Sequence, residues 1–556
     1  MLPYGVSDFR DVKLNNYYYI DKTHFIPKIE EYGRYLFFIR PRRFGKSLFL
    51  NMLGFYYDIF YKNEFEKVFH DCFIINNLTK EASRYYILKF DFSAVSTIGD
   101  IDRNFSRYCN IKMKAFLKKY DLNSINIDLD TPAHENLNIL FTELNIPIYI
   151  MIDEYDNFIN NILMHDQKDY QKLVSSKNEA IYKEFFKLLK AATSDNSSSL
   201  KKMFITGVSP LALYDVTSGS NIGVNITNEK AFNSAVGVTK EEFEKLLKHY
   251  EIDSKKIKIN EWYDNYKFNK YIKETIYNTD MILYYVKSLI LTKYPPENLV
   301  DLNVRTDYSK LRYLVYTDNR LNGNFSILQK LFGDGYVTSL ELKDSFSAFE
   351  MKKEDNFISL LYYLGLTTID KYYRGKYYFK IPNQTIRIIM AEYVQKALKE
   401  SKIFDIKLYE FQETIQEFAY DRSLNVFKYL STKIKEKSKI RDYIEGENFI
   451  KGFLIAYLSL SPFYSVLSEE ERNKGFIDIY LKKAPNIEDD ILEAIIELKY
   501  IPRNKFTKSL LKEKIKEAKE QIKRYGLKES EKGVILVFNG WELVYCEFYD
   551  TSVKED

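Results

Sequence analysis

The sequence predicts an α/β chain with a parallel sheet near its N-terminus, a helical stretch in the middle and a second, smaller α/β module at its C-terminus. Three observations carry that reading. Apolar runs alternate with amphipathic stretches up to about residue 227, helical periodicity takes over from Asn228 to Tyr443, and the alternation returns after it. At 556 residues the chain exceeds what one hydrophobic core holds, since domains run to roughly 150 residues. The expected division is 1–227, 228–442 and 443–556.

In the first stretch YLFFIR, YYILKFDFS, IPIYIMID and KKMFITGVS read as strands, and SLFLNMLGFYYDIF as the helix after the first of them. Continuous apolar strands separated by helices are the pattern of a parallel sheet covered on both faces. TSDNSSSL at 193–200 is polar and reads as the loop before the last strand. The middle stretch sets lysine and glutamate against tyrosine-rich apolar faces, as in a helical lid and connector. Near the C-terminus GFIDIYL, EAIIELKYI and GVILVFNG read as strands, with a basic helix from about Ser509 to Tyr525 between the last two.

Composition narrows the function classes. A net charge of +4 neither requires nor excludes a nucleic-acid partner, so local patches decide. Cys72, Cys109 and Cys546 are far apart and lack CxxC spacing, which argues against a disulfide framework or a zinc site and for a reducing, cytoplasmic setting. The N-terminus MLPYGVSDFR has no signal pattern, and no apolar run approaches the ~18 to 20 residues that cross a bilayer. No membrane role is expected. The histidines show no ligand spacing, and neither a GxSxG elbow nor a GxGxxG fingerprint is present.

The segment YLFFIRPRRFGKSLFLNML runs strand, turn, helix, with Gly45, Lys46 and Ser47 at the turn. In a phosphate-binding loop the backbone N–H groups and the helix N-terminus cradle phosphates, lysine reaches the β and γ phosphates, and Ser or Thr ligates magnesium. Lys46 and Ser47 fit those roles. Against the general GxxxxGKS/T pattern the first glycine is missing, and Arg40 stands there, followed by Pro41, Arg42, Arg43 and Phe44. About a hundred residues on, IPIYIMIDEYD ends an apolar strand in Asp153 and Glu154, where α/β sheets bind ligands. Asp153 is expected to hold magnesium and Glu154 to orient and deprotonate an attacking water. KMFITGVSP ends another strand at Thr206, a position suited to sensing the γ phosphate, although Thr206 or Ser209 could equally cap or turn the chain.

These segments resemble the AAA-ATPase-like proteins that carry a C-terminal nuclease domain of the PD-(D/E)XK superfamily. The resemblance rests on LPYGVSDFRDV at the start, YYYIDKTHFI at 17–26, RPRRFGKSLFLNML at 40–53, IMIDEYDNFI at 150–159, FITGVSP at 204–210 and EWYDNYKF at 261–268. It implies that Arg40 is normal at its position, that the fold is a P-loop NTPase domain followed by a restriction-endonuclease-like domain, and that Asp21, Lys22 and Thr23 lie near the nucleotide. The aromatics of EWYDNYKF read as core.

The last quarter of the chain carries GFIDIYL and then AIIELKYI, presenting Asp478, Glu497 and Lys499. Strand alternation puts Glu497 and Lys499 on one face and Leu498 on the other. Two carboxylates can hold magnesium, or manganese, beside a scissile phosphate, while lysine positions water and stabilises developing charge. Glu447 in the preceding helix is a candidate additional acid, and Gln521 and Tyr525 in AKEQIKRY resemble the QxxxY element that supports some of these nuclease sites. Around that helix lysines outnumber acids, giving a local phosphate-binding surface.

Together these features predict a nucleotide-binding ATPase joined to a metal-dependent nuclease acting on nucleic acid, with ATP and Mg2+ as cofactors and DNA as the first expected substrate. The alternative is a signal-transducing NTPase whose C-terminal fold binds a partner or nucleic acid without cutting. Arg42 and Arg43 are candidates for phosphate contacts, and an arginine finger from a neighbouring subunit would require a homo-oligomer.

Overall fold

The computed structural model describes residues 1–157, 181–210, 223–257, 259–301, 304, 316–317, 320–321, 324–346, 350, 353–436 and 446–549. The chain divides into two compact units. One comprises Met1–Lys256, Asn265–Tyr294 and Leu340–Tyr372; the other comprises Ile257–Asp264, Pro295–Ser339 and Tyr373–Asp556. The stretch 228–442, read from sequence as a lid and connector, therefore contributes to both, and the expected boundary at 442/443 lies outside the described residues.

The first unit is built on a five-stranded parallel sheet: β1 (Tyr35–Ile39), β2 (Tyr86–Asp91), β3 (Ile148–Asp153), β4 (Leu200–Gly207) and β5 (Val224–Asn225), in the order β2-β3-β4-β1-β5. β3 is buried throughout and β4 nearly so, because helices cover both faces of a parallel sheet. The covering helices include α1 (Lys46–Tyr57), α2 (Ile101–Lys119), α3 (Ala133–Glu143) and α4 (Ile181–Ser194). β1 and β4 pair with Phe38 opposite Thr206 and Ile39 opposite Gly207, and β2 and β3 pair with Asp91 opposite Asp153. Parallel register thus brings the 40–47 loop, Thr206 and Asp153 to the carboxyl ends of adjacent strands.

Gly207 closes β4 where the chain after β3 passes closest. A Cβ placed on it would collide with Asp156 Oδ1 and lie 2.5 Å from the Tyr155 ring. Gly207→Ala is expected to cost about 2 kcal/mol and to lower the thermal unfolding midpoint. An unchanged midpoint would show that the 155–157 turn can move aside.

The second unit ends in a five-stranded mixed sheet of β6 (Tyr464–Leu467), β7 (Ile479–Lys483), β8 (Glu493–Ile501), β9 (Glu531–Asn539) and β10 (Glu542–Tyr549), in that order across the sheet. Only β8 and β9 are parallel, and the crossover that parallel pairing requires is a helix, α7 (Lys508–Tyr525). α7 is preceded in the chain by α5 (Thr279–Thr292) in the first unit and α6 (Glu447–Leu458) in this one. α7 lays Ala518 and Ile522 on a core of Ile501, Ile535 and Val537, and keeps Lys508, Lys512, Lys516 and Lys523 exposed. The fold class is the expected α/β one, with differences in detail. β6 and β10 were not among the expected strands. GFIDIYL is also not one strand: Gly475–Ile477 pairs with Glu470–Arg472 in a separate hairpin, and the main-sheet strand starts at Ile479. Asp478 sits at the break between the two pairings.

In the second unit Trp262 and Tyr263 are buried core residues, as expected. The Trp262 indole donates to Ser465 Oγ at 3.1 Å and the Tyr263 hydroxyl to the Leu299 carbonyl at 2.8 Å.

Candidate nucleotide site and candidate nuclease centre

The 40–47 loop begins with a side chain turned into the core. Arg40 is wholly buried, its guanidinium lying between the rings of Phe38 and Phe268 at 4.5 and 4.2 Å. It donates to the carbonyls of Ile39 and Phe232, each at 2.9 Å, and to that of Thr227. Burial holds its pKa below the usual arginine range, at about 10. The expectation that Arg40 contacts phosphate thus gives way, for its side chain, to a role in fixing the loop, because all of this donor capacity points into the core.

The rest of the loop is held from its outer side. Phe44 is buried against Tyr266 and Phe268, with ring centroids 4.9 and 5.5 Å away. Its carbonyl accepts from Gly237 N–H at 2.8 Å and Thr279 Oγ1 at 2.9 Å. The first residues of α5 continue this clamp, with Asp280 N–H bonding the Arg43 carbonyl at 3.1 Å and Asn278 Nδ2 the Arg42 carbonyl at 3.3 Å. Arg43 (φ +68°) and Gly45 (φ +91°) turn the backbone into α1. For Gly45 the left-handed conformation is easy; for Arg43 it is strained and depends on that clamp.

Inside the turn the chemistry-bearing groups meet. Lys46 is buried, and its ammonium donates to the Pro41 carbonyl at 2.9 Å. Burial lowers its pKa, against the pull of Glu154, Asp153 and Asp156. The Asp153 carboxylate receives Ser47 and the Glu154 N–H, the latter at 3.0 Å. Burial raises the pKa of both acids, opposed at Asp153 by Ser47 and Lys46 and at Glu154 by Lys46 and Arg42. Glu154 adopts φ +48°, an uncommon conformation for a residue with a Cβ and one that clusters at functional sites. Arg42 Nη2 donates to Asn157 Oδ1 at 3.2 Å. Thr206 is buried, and among the described residues its Oγ1 has no hydrogen-bond partner.

Asp156 is a residue that sequence reasoning passed over. It accepts the N–H groups of Val208 and Ser209 at 3.0 and 2.7 Å, tying the turn after β3 to the end of β4. Its signal was the third acid of DEYD, which reads in isolation as a solvated run. Asp21, Lys22 and Thr23 tie segments together. Lys22 pairs with Glu242 at 2.7 Å and with the Ser234 carbonyl at 3.0 Å, while Asp21 receives Thr23 and the Phe73 N–H.

In the second unit Asp478, Glu497 and Lys499 form one charge cluster. Asp478 Oδ2 accepts the Leu498 N–H at 3.0 Å, which locks it against the strand that carries the other two. Lys499 Nζ donates to Glu497 Oε2 at 3.1 Å, while Glu497 Oε1 is buried with no partner among the described residues. Burial first and Asp478 second raise the Glu497 pKa to about 7, with Lys499 opposing. The Tyr525 hydroxyl lies between Glu497 and the Phe476 carbonyl, to which it donates at 2.8 Å. Its ring fills the space that a Cβ on Gly475 would enter at 2.6 Å. Gln521, one turn earlier, has a buried Oε1 with no partner among the described residues. Glu447 opens α6, and burial with Asp478 raises its pKa against Lys499 and Lys451, which places it within the reach of the same charges.

Lys451 was not anticipated. It lies one turn after Glu447 on α6, is buried, and pairs with Asp478 Oδ1 at 3.1 Å and with Glu469. Burial works against its charge, and the two carboxylates outweigh burial, so its pKa is raised. Among the described residues no group of three or more His, Cys, Asp and Glu is gathered as a ready cation cage. The acids here are interleaved with lysines instead.

Among the described residues no helix is long and apolar enough to cross a membrane. The chain is 24% identical over 359 residues to an uncharacterized protein in the vnfD 5' region of Azotobacter chroococcum mcd 1, a match spanning 61% of this chain and 64% of that relative. The family described as predicted AAA-ATPase matches residues 3–217, and the PD-(D/E)XK nuclease superfamily matches residues 445–548. The two matched segments contain, respectively, the 40–47 loop with Asp153 and the cluster of Asp478, Glu497 and Lys499, and the chain accordingly carries an AAA-ATPase-like domain at its N-terminal end and a PD-(D/E)XK nuclease superfamily domain at its C-terminal end.

Proposed function

We propose that the chain binds and hydrolyses ATP and, under the control of that nucleotide, cleaves nucleic-acid phosphodiester bonds with a divalent metal. The observation that supports this most is the meeting of Asp478, Glu497 and Lys499 in one cluster, with an orphaned carboxylate oxygen on Glu497. Burying Glu497 with a raised pKa costs stability, and a surface that only binds would not need that arrangement.

The orphaned oxygen and the adjoining Asp478 fit a cation, and these two side chains would hold Mg2+ or Mn2+. Such an ion, when bound, polarises the scissile phosphate and acidifies its water. Lys499 would hold water or phosphate beside Glu497, Tyr525 would orient Glu497, Gln521 would support the site from one turn earlier on α7, and Glu447 would contribute a further negative charge. The exposed lysines of α7 offer a phosphate-binding face for DNA.

At the other site the N–H groups around Gly45 and the start of α1 suit the phosphates of ATP. Lys46 would exchange the Pro41 carbonyl for the β and γ phosphates. Ser47 and Asp153, already joined, would hold Mg2+. Glu154 would orient water and Thr206 would sense the γ phosphate, with Arg42 and Arg43 as phosphate contacts and Arg40 acting through the core. Residues 1–227, 228–442 and 443–556 would then serve as ATPase core, connector and nuclease domain.

Titrating Mg2+ or Mn2+ against supercoiled plasmid, with and without ATP, tests this directly. Nicked or linear product is expected that depends on metal and changes with ATP. The rate should fall as pH drops below about 7, because Glu497 then takes up the proton that a cation must displace. Absence of cleavage of both DNA and RNA at every metal concentration would favour the binding module instead.

A further inference from the structure

Lys451 is a buried ammonium with two carboxylates, one more than neutrality requires. The two differ in setting: the Asp478 side chain is 16% exposed and the Glu469 side chain 38%. They are also held differently. Asp478 is fixed through Oδ2 by the Leu498 N–H, which leaves Oδ1 to Lys451. Glu469 stands just before the 470–477 hairpin, its own N–H bonded to the Ile477 carbonyl at 2.9 Å. A cation approaching Asp478 therefore meets an oxygen that already carries a lysine.

Resting on the nuclease reading above, we propose that Lys451 is a positioning residue that occupies Asp478 Oδ1 in place of a divalent cation, and that Glu469 is the acceptor that retains Lys451 when the cation takes that oxygen. Without Glu469, releasing Asp478 would strand an unpaired buried ammonium, which is costly. With it, the ammonium keeps one partner throughout. Lys451 thus lowers the affinity of the centre for metal while holding Asp478 in place before metal arrives.

The test is Mn2+ binding to the full chain, without nucleotide, followed by electron paramagnetic resonance. Asp478→Asn should remove one Mn2+, identifying the site; if it removes none, the nuclease reading fails at this residue. For the ion so identified, Lys451→Met should tighten binding about tenfold, the scale of one partly buried charge pair. Glu469→Gln should weaken it, because Lys451 is then left with Asp478 as its sole carboxylate. If Lys451→Met leaves binding unchanged or weaker, or if Glu469→Gln binds as tightly as the parent, the proposal is overturned with the site reading intact. Should the Lys451 variant fail to fold, the Glu469 variant decides alone.

Discussion

Glu497→Gln should abolish phosphodiester cleavage and at the same time make the metal-free protein more stable above pH 7. The activity loss follows from the cluster: glutamine keeps the shape but supplies neither the charge for a cation nor a carboxylate for Lys499, and a fall of at least about a hundredfold in rate is expected. Glu497 is raised from 4.5 to about 7 in the fold, so the folded protein keeps a proton that the unfolded chain releases. Its contribution is fully present below about 4.5 and is lost as the pH rises through about 7. Glutamine has no such loss, and at pH 8 the variant should be more stable by on the order of 2 kcal/mol. Thermal unfolding of both proteins in chelator at pH 5 and pH 8 measures it. Equal midpoints at pH 8 would mean that Glu497 ionises without cost, and cleavage by the variant would remove it from the centre.

Lys46→Ala should weaken ATP binding by about ten- to a hundredfold, the range for losing a charge-assisted contact to phosphate. The fold should survive, since the loop is clamped from outside by Gly237, Asn278, Thr279 and Asp280 rather than by Lys46. Fluorescent ATP-analogue titration reads the affinity, and plasmid cleavage with and without ATP reads the consequence. If cleavage and its response to ATP are both unchanged, the two domains are merely joined.

Much of this was readable from local pattern. Buried parallel strands announce themselves as continuous apolar runs, and β1, β3 and β4 did so, as did the apolar α1 after Gly45. What stayed hidden depends on residues brought together across long stretches of chain. The distant partners of Arg40 are Thr227, Phe232 and Phe268, and nothing near residue 40 points to them. Lys451 sits in ENFIKGFLIAYL, where a single lysine reads as one that reaches out to water; only the fold turns it toward Asp478 and Glu469. The break at Asp478 was hidden for the opposite reason. GFIDIYL is a good strand locally, and the competing pairing with Glu470–Arg472 divides it. β10 went unread because ELVYCEFY lacks the strict alternation of a half-buried strand.

The buried arginine at the head of the 40–47 loop also bears on how portable that loop is. A loop that opens with glycine asks little of its host and can be lifted into another scaffold. Besides Phe38 and the Ile39 carbonyl next to it, this one brings a cation that must find an aromatic face and two carbonyl oxygens on segments far along the chain. Grafting RPRRFGKS alone onto a foreign sheet would strand that charge, and changing Phe268 in this chain would disturb the loop without touching a phosphate. The motif and its distant sockets form one inheritable unit, to be moved or mutated together.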